Sequence, residues 1–255
     1  MLGSITRTCA NRGYDLLVST QQLSSNWHVD YEDSRKADGI ILLGYGDFTL
    51  YRARIDRLIA QRTHFVRWGA ALPGEPGVSI GCDNYQGGHD MAAHLLALGC
   101  RRIAFIGHAS DHYPEFFERW RGYADALAGA GLAPDPALQV DAITTEQAGQ
   151  QAMAQLLATG VALDAVFAAS DLIALGAMKA LRAHGLKVPE QVAVAGFDDI
   201  AMASFAQPGL STVQQDTKLA GEVLVDSLIR LIHGDPVESR TLPVKLVLRG
   251  STRAG

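Results

Sequence analysis

Cysteine is scarce in this sequence, three among 255 residues, and Cys9, Cys82 and Cys100 form no CxxC pair. That pattern suits a reducing compartment. Long apolar runs are missing too: none approaches a bilayer span, so no membrane association is expected. The opening MLGSITRTCANRGYD has no apolar leader core, which gives export no support and makes the cytoplasm the expected location. There is no excess of positive charge. A formal net charge of -5 removes any bulk electrostatic case for nucleic acid binding by this chain. Catalytic signatures are lacking as well, with no GxxxxGK(S/T) phosphate loop and no GxGxxG after a first strand. His108 and His112 make one HxxxH, but they fall in a strand-end loop with Pro114 and have no HExxH or third ligand nearby. His89 and His94, five apart, do not share a helix face. Neither a metal nor a cofactor is expected, and nothing points to an enzyme.

What is present is a soluble α/β composition, 48% hydrophobic, in a chain long enough for one large or two ordinary domains. Apolar runs alternate with amphipathic stretches throughout. Strands are predicted at 15–20, 38–44, 64–69, 78–84, 101–108, 138–143, 165–169, 192–197, 210–216 and in LPVKLVLRGST at 242–252. Helices are predicted at 50–62 (with Ile55, Leu58 and Ile59 inward), 87–99, 116–131, 145–160, 172–185 and 219–234. The polar stretch 21–37 reads as an exposed helix or a loose connection. This rhythm implies parallel sheets with helices on both faces. The first residues, 4–13, look like the tail of a helix with no strand before it, so the first strand of a doubly wound domain is expected to be missing.

The sharpest stretch is Ala165–Ile200, a strand–helix–strand unit whose strands both end on acids. Carboxyl ends of strands are where open α/β sheets bind ligands. Asp171 suits capping of the helix that follows, whereas Asp198 in GFDDI suits capping or a ligand equally. A carboxylate there accepts hydrogen bonds from adjacent hydroxyls. Arg119, in PEFFERWRGY, has Phe116, Phe117 and Trp120 around it. It reads either as a ligand fork beside a stacking surface or as an exposed helix arginine with Trp120 and Tyr123 packed inward.

In RRIAFIGH, RWRGYADAL, AVFAASDLIALGAMKAL, VPEQVAVAGFDDI and LSTVQQD, and in the final LPVKLVLRGST, the chain resembles the LacI/GalR family of bacterial transcription regulators, from about Gly13 to Thr252. The resemblance implies a periplasmic-binding-protein-like effector domain of two doubly wound subdomains joined by three crossings. These would comprise 1–107 plus 214–238, and 108–213 plus 239–255. It further implies a small-molecule effector, a sugar or glycoside, in the cleft, and a homodimer through the first subdomain. Operator DNA would be contacted only by a helix-turn-helix headpiece that this sequence lacks. Arg119 matches the effector-binding arginine and Asp198 the first acid of the G(F/Y)DD motif. Ser170 stands where many members have Asn, Gln215 lies on a crossing, and Phe116 offers a stacking face. Two other readings differ in function: a periplasmic sugar-binding protein, which needs an export signal, and a sugar-modifying enzyme, which needs a nucleophile, base or metal constellation.

Overall fold

Short apolar runs closed by glycine or a polar pair form the strands, and the amphipathic stretches between them form the helices. The structure, a computed structural model, describes residues 1–19, 37–44, 48–71, 74 and 76–252, with only the backbone of 48–50, 53 and 54. In chain order the elements are α1 (Leu2–Asn11), β1 (Ile40–Leu43), α2 (Phe48–Ala60), β2 (Phe65–Trp68), β3 (Val78–Cys82), α3 (Asn84–Ala97), β4 (Ile103–Ile106) and α4 (Pro114–Gly129). They continue with β5 (Gln139–Val140), α5 (Glu146–Ala158), β6 (Ala165–Ala168), α6 (Asp171–Ala183), β7 (Ala193–Asp198) and α7 (Ala201–Phe205). The last are β8 (Ser211–Gln215), α8 (Thr217–Ile232), β9 (Arg240–Leu242) and β10 (Val244–Val247).

The chain divides into two units. The first comprises Met1–Cys82 and Asp216–Pro243. Its strands run in the order β1-β2-β3-β9, every pair parallel. Successive residues of a strand face opposite ways. Val66 therefore joins Ile5, Ile80, Leu224 and Leu228 in one cluster, while Phe65 joins Leu42, Ile55 and Leu58 in another. Leu17 and Val18, in the predicted first strand, are exposed, and Asp15–Val18 pair with no strand among the described residues. Strand pairing requires a neighbour, and apolar side chains alone do not supply one. Ile59, expected inward, is also exposed. The polar stretch of 21–37 lies, apart from Ala37, outside the described residues.

The second unit is Asp83–Gln215 with the chain from Val244 on. Its strands run β10-β8-β7-β6-β4-β5. All are parallel except β10, which lies antiparallel on β8. The central strands are apolar on both faces: Phe105, Phe167 and Phe197 are fully buried. Burial of that kind contributes about 1.5–3 kcal/mol per side chain. Two helix pairs pack closely through reciprocal glycines. A Cβ on Gly88 would lie 2.1 Å from the Arg119 carbonyl oxygen, and one on Gly122 would lie 2.0 Å from that of Tyr85. Gly149 and Gly176 make the same approach between α5 and α6.

Three expected boundaries shift. The first unit ends at Cys82, not at 107, because α3 packs on α4 and β4 pairs with β5 and β6. The second passage falls between Gln215 and Asp216. The final segment, expected as one strand of the second unit, is two strands split by Pro243, which has no N–H to donate. β9 pairs with β3 in the first unit and β10 with β8 in the second. The predicted strand 138–143 shrinks to Gln139–Val140 behind a short 3-10 turn.

Candidate functional site

Five parallel strands of the second unit deliver their carboxyl ends to one edge of the sheet, and the candidate residues gather there. Arg119 comes from α4, the helix after β4. It is buried, 4% exposed, although arginine is almost never fully buried unless paired. Its Nε donates to Asn84 Oδ1 at 2.8 Å, and its Nη1 donates to the Ala169 carbonyl oxygen just past β6. The guanidinium lies over the Phe197 ring, 3.7 Å from its centroid, and 5.4 Å from that of Phe116. Such contacts stabilise a desolvated cation. Nη1 stands 3.6 Å from Asp198 Oδ1, longer than a charge-assisted hydrogen bond of about 2.7–2.9 Å.

Asp198 ends β7, and its side chain keeps 26% of its surface exposed. The Gln215 amide donates to its Oδ1 from the end of β8. Burial holds the Asp198 carboxyl above its ordinary range, against the opposing pull of Arg119 and Gln215. The turn after it is strained: Asp198 has φ 120° and Asp199 φ 53°, consecutive positive values at residues that carry a Cβ. Asp199 is held by Arg249 Nη2 at 2.7 Å and by the Gln214 amide. Asp171 secures the other side. Its Oδ2 accepts from the Ile200 backbone N–H at 2.8 Å, and its Oδ1 accepts from the Thr212 hydroxyl at 2.5 Å. Gly196 leaves room for this carboxylate, since a Cβ there would lie 2.3 Å from Asp171 Oδ1. Burial, opposed by those two hydrogen bonds, pushes the Asp171 carboxyl up to about 7.

The sequence-predicted residues fall as follows. Arg119, Asp198 and Gln215 form a connected polar group, with partly exposed Phe116 beside it. Capping is reassigned: Ser170, not Asp171, caps α6, its Oγ accepting from Ile173 N–H at 3.4 Å while the residue is 1% exposed. Its position just before the helix turns the hydroxyl onto the free amides and away from solvent. Asp83 likewise caps α3, through Gln86 N–H. Of the two acids of GFDD, Asp198 meets Arg119, whereas Asp199 is bound to the C-terminal segment through Arg249. His108 stacks on Tyr113 with centroids 4.1 Å apart and lies 3.3 Å from Asp141; no metal-holding cluster occurs among the described residues. Sequence reasoning missed Asn84, Thr212 and Arg249. Asn84 follows a strand-ending Asp and its role leaves no local trace, because its partner is 35 positions away.

A parallel sheet with polar groups gathered at the carboxyl ends of its strands is the arrangement by which open α/β domains bind small ligands. The family profile described as periplasmic binding protein-like domain matches residues 92–252. The HTH-type transcriptional regulator CelR of Thermobifida fusca is 40% identical over 69% of this chain and 51% of its own length. The HTH-type transcriptional repressor CytR of Escherichia coli is 31% identical over the whole of this chain and 75% of its own length. Among solved structures, the transcriptional regulator CelR in complex with cellobiose has a TM-score of 0.86 at 31% identity, covering 98% of this chain and 77% of that one. A LacI-family sugar-binding transcriptional regulator from Escherichia coli, complexed with phosphate, has a TM-score of 0.83 at 31% identity, covering 100% of this chain and 92% of that one. The chain belongs to the LacI family of transcription regulators. It spans about half the length of CelR and of the similar regulator AscG of Escherichia coli, at 51% and 52%. No helix among the described residues is long and apolar enough to cross a membrane.

Proposed function

We propose that this chain is the effector-sensing part of a transcription regulator, and that its effector is a small polyhydroxylated molecule, a sugar or glycoside. The observation that carries this reading is the Arg119–Asp198 pair. The two groups are 3.6 Å apart, and Nη2 of Arg119 and Oδ2 of Asp198 have no hydrogen-bond partner among the described residues. A hydroxyl can accept from such an Nη2 while donating to such a carboxylate oxygen, so one diol suits the pair. Phe116 supplies an apolar ring for the C–H face of a pyranose, and Gln215 an amide. Cellobiose in the related CelR structure is consistent with a ligand of this class. Ser170, engaged in capping, serves the start of α6 rather than the ligand in this reading.

The effector acts by differential affinity for two states of the chain, and so controls DNA binding by a helix-turn-helix segment. The regulator works as a homodimer. The family resemblance implies a contact through the first subdomain, and Phe205, 83% exposed, with Met202, on α7 of the second unit, supports a contact there as well. Two residues further on, Gln207 and Pro208 border a cavity of about 310 Å³ that Met178, Leu186 and Val188 also line. An exposed aromatic of this kind suits coverage by a second copy of the chain.

Calorimetric titration with cellobiose and a panel of mono- and disaccharides tests the ligand assignment. Arg119→Ala and Asp198→Asn should each weaken the best-binding sugar at least tenfold, about 1.4 kcal/mol, with circular dichroism unchanged. Unchanged affinity in both variants would remove the site.

A further inference from the structure

Arg119 is useful to a ligand only if its guanidinium is aimed and kept from closing onto Asp198. Two anchors define the plane of that group: Nε on Asn84 Oδ1 at 2.8 Å, and Nη1 on the Ala169 carbonyl. The carbonyl belongs to a strand end and is fixed by the sheet. Asn84 is the other anchor and the only one of the two that is a side chain. It is 4% exposed and is the first residue of α3, whose start is set by the Asp83 cap. Because Gly88 and Gly122 carry no Cβ, α3 approaches the α4 backbone closely beside Arg119, which brings the short amide within reach of Nε.

A hydrogen-bond acceptor is needed at this position. The Arg119 side chain is only 5% exposed, so loss of its Nε acceptor would leave a buried N–H unpaired. The nearest remedy is Asp198, now 3.6 Å from Nη1, and rotation of the guanidinium would convert that approach into a bidentate ion pair. Such a pair would occupy the donors and acceptors a hydroxyl ligand needs. An acceptor oxygen at position 84 satisfies Nε and holds the guanidinium in place.

We propose that Asn84 is a positioning residue for the effector site, holding the Arg119 guanidinium apart from Asp198 so that both stay available to ligand. This rests on the reading of Arg119 and Asp198 as ligand contacts, and the experiment separates the two claims. In the full chain, solvent exchange of the Arg119 Nε–H is followed by NMR, with exposed Arg121 as the internal reference. The Arg119 signal should exchange at least tenfold more slowly, and Asn84→Leu should abolish the difference, whereas Asn84→Asp, which keeps the acceptor oxygen, should retain it. Titration with the best-binding sugar of the panel should then show at least a tenfold loss for Asn84→Leu, about 1.4 kcal/mol, and recovery in Asn84→Asp to within about threefold, under 1 kcal/mol. Fast exchange in the unsubstituted chain overturns the proposal even if Asn84→Leu does not fold. Full affinity in Asn84→Leu, with Arg119→Ala defective, overturns it while sparing the effector site. Full affinity in Arg119→Ala, or no binding by any sugar, removes the effector reading instead, and the exchange measurement alone then decides whether Asn84 aims Arg119.

Discussion

Asp171 illustrates how a single buried carboxyl is used at this site. It is fully buried, yet its two hydrogen bonds hold the turn that carries Asp198 and Asp199. Its carboxyl titrates near 7 in the folded chain, against 3.8 for an ordinary aspartate. Between those values the folded chain holds a proton that the unfolded chain has released, so stability should fall as pH rises from 4 to 7. The difference corresponds to a cost on the order of 4 kcal/mol for ionising the group. Asp171→Asn removes the titration; its amide can donate to Thr212 while its oxygen accepts from Ile200. Melting temperature followed from pH 4 to 8 should therefore depend less steeply on pH in Asp171→Asn, the remaining slope coming in part from Asp198, whose carboxyl is also raised. An unchanged slope would show that Asp171 does not titrate there.

At the scale of elements, the α3–α4 pair does two things. Its reciprocal glycines let backbone meet backbone, and the same approach sets Asn84 against Arg119. In Gly122→Ala the new methyl would lie 2.0 Å from the Tyr85 carbonyl oxygen, and neither helix backbone can yield as a side-chain tip would. The helices must separate, at a cost of about 1–3 kcal/mol. Scanning calorimetry should show a melting temperature lower by several degrees, and sugar titration a weaker ligand; an unchanged melt would contradict the close approach. The equivalent change at Gly176 should destabilise comparably but leave the affinity nearer that of the parent chain, since α5 and α6 carry neither Asn84 nor Arg119. Much of this level was legible in advance. Apolar runs such as AVFAA and VAVAGF stand where predicted, because strands buried on both faces read as continuous hydrophobic segments. The glycines gave no local sign of their role, which depends on which helix faces them.

At the scale of the whole molecule, Phe205→Glu places a charge on an aromatic that is 83% exposed. If α7 forms part of a two-fold contact, sedimentation at micromolar concentration should show the parent chain as a dimer and Phe205→Glu shifted towards monomer, with sugar affinity retained. A parent chain that sediments as a monomer, or a variant that stays a dimer, would remove this face from the interface.

The sequence by itself determined the α/β alternation and the resemblance to the LacI/GalR family, and it singled out Asp198 at a strand end and Arg119 in the helix that follows a strand. Each of these is local: periodicity, a short motif and the residue that closes a strand are all visible within a few positions. What only the tertiary structure decided is how those pieces are shared out and held. It ended the first unit at Cys82, split the last segment at Pro243 between two sheets, and made Ser170 the cap and Asp171 the latch. It also brought Asn84 to Arg119 across 35 positions and Arg249 to Asp199 across 50. Hydrogen bonds between side chains depend on distance in space, and packing sets that distance. The same residues in the same order leave it undetermined until the helices have closed on their glycines.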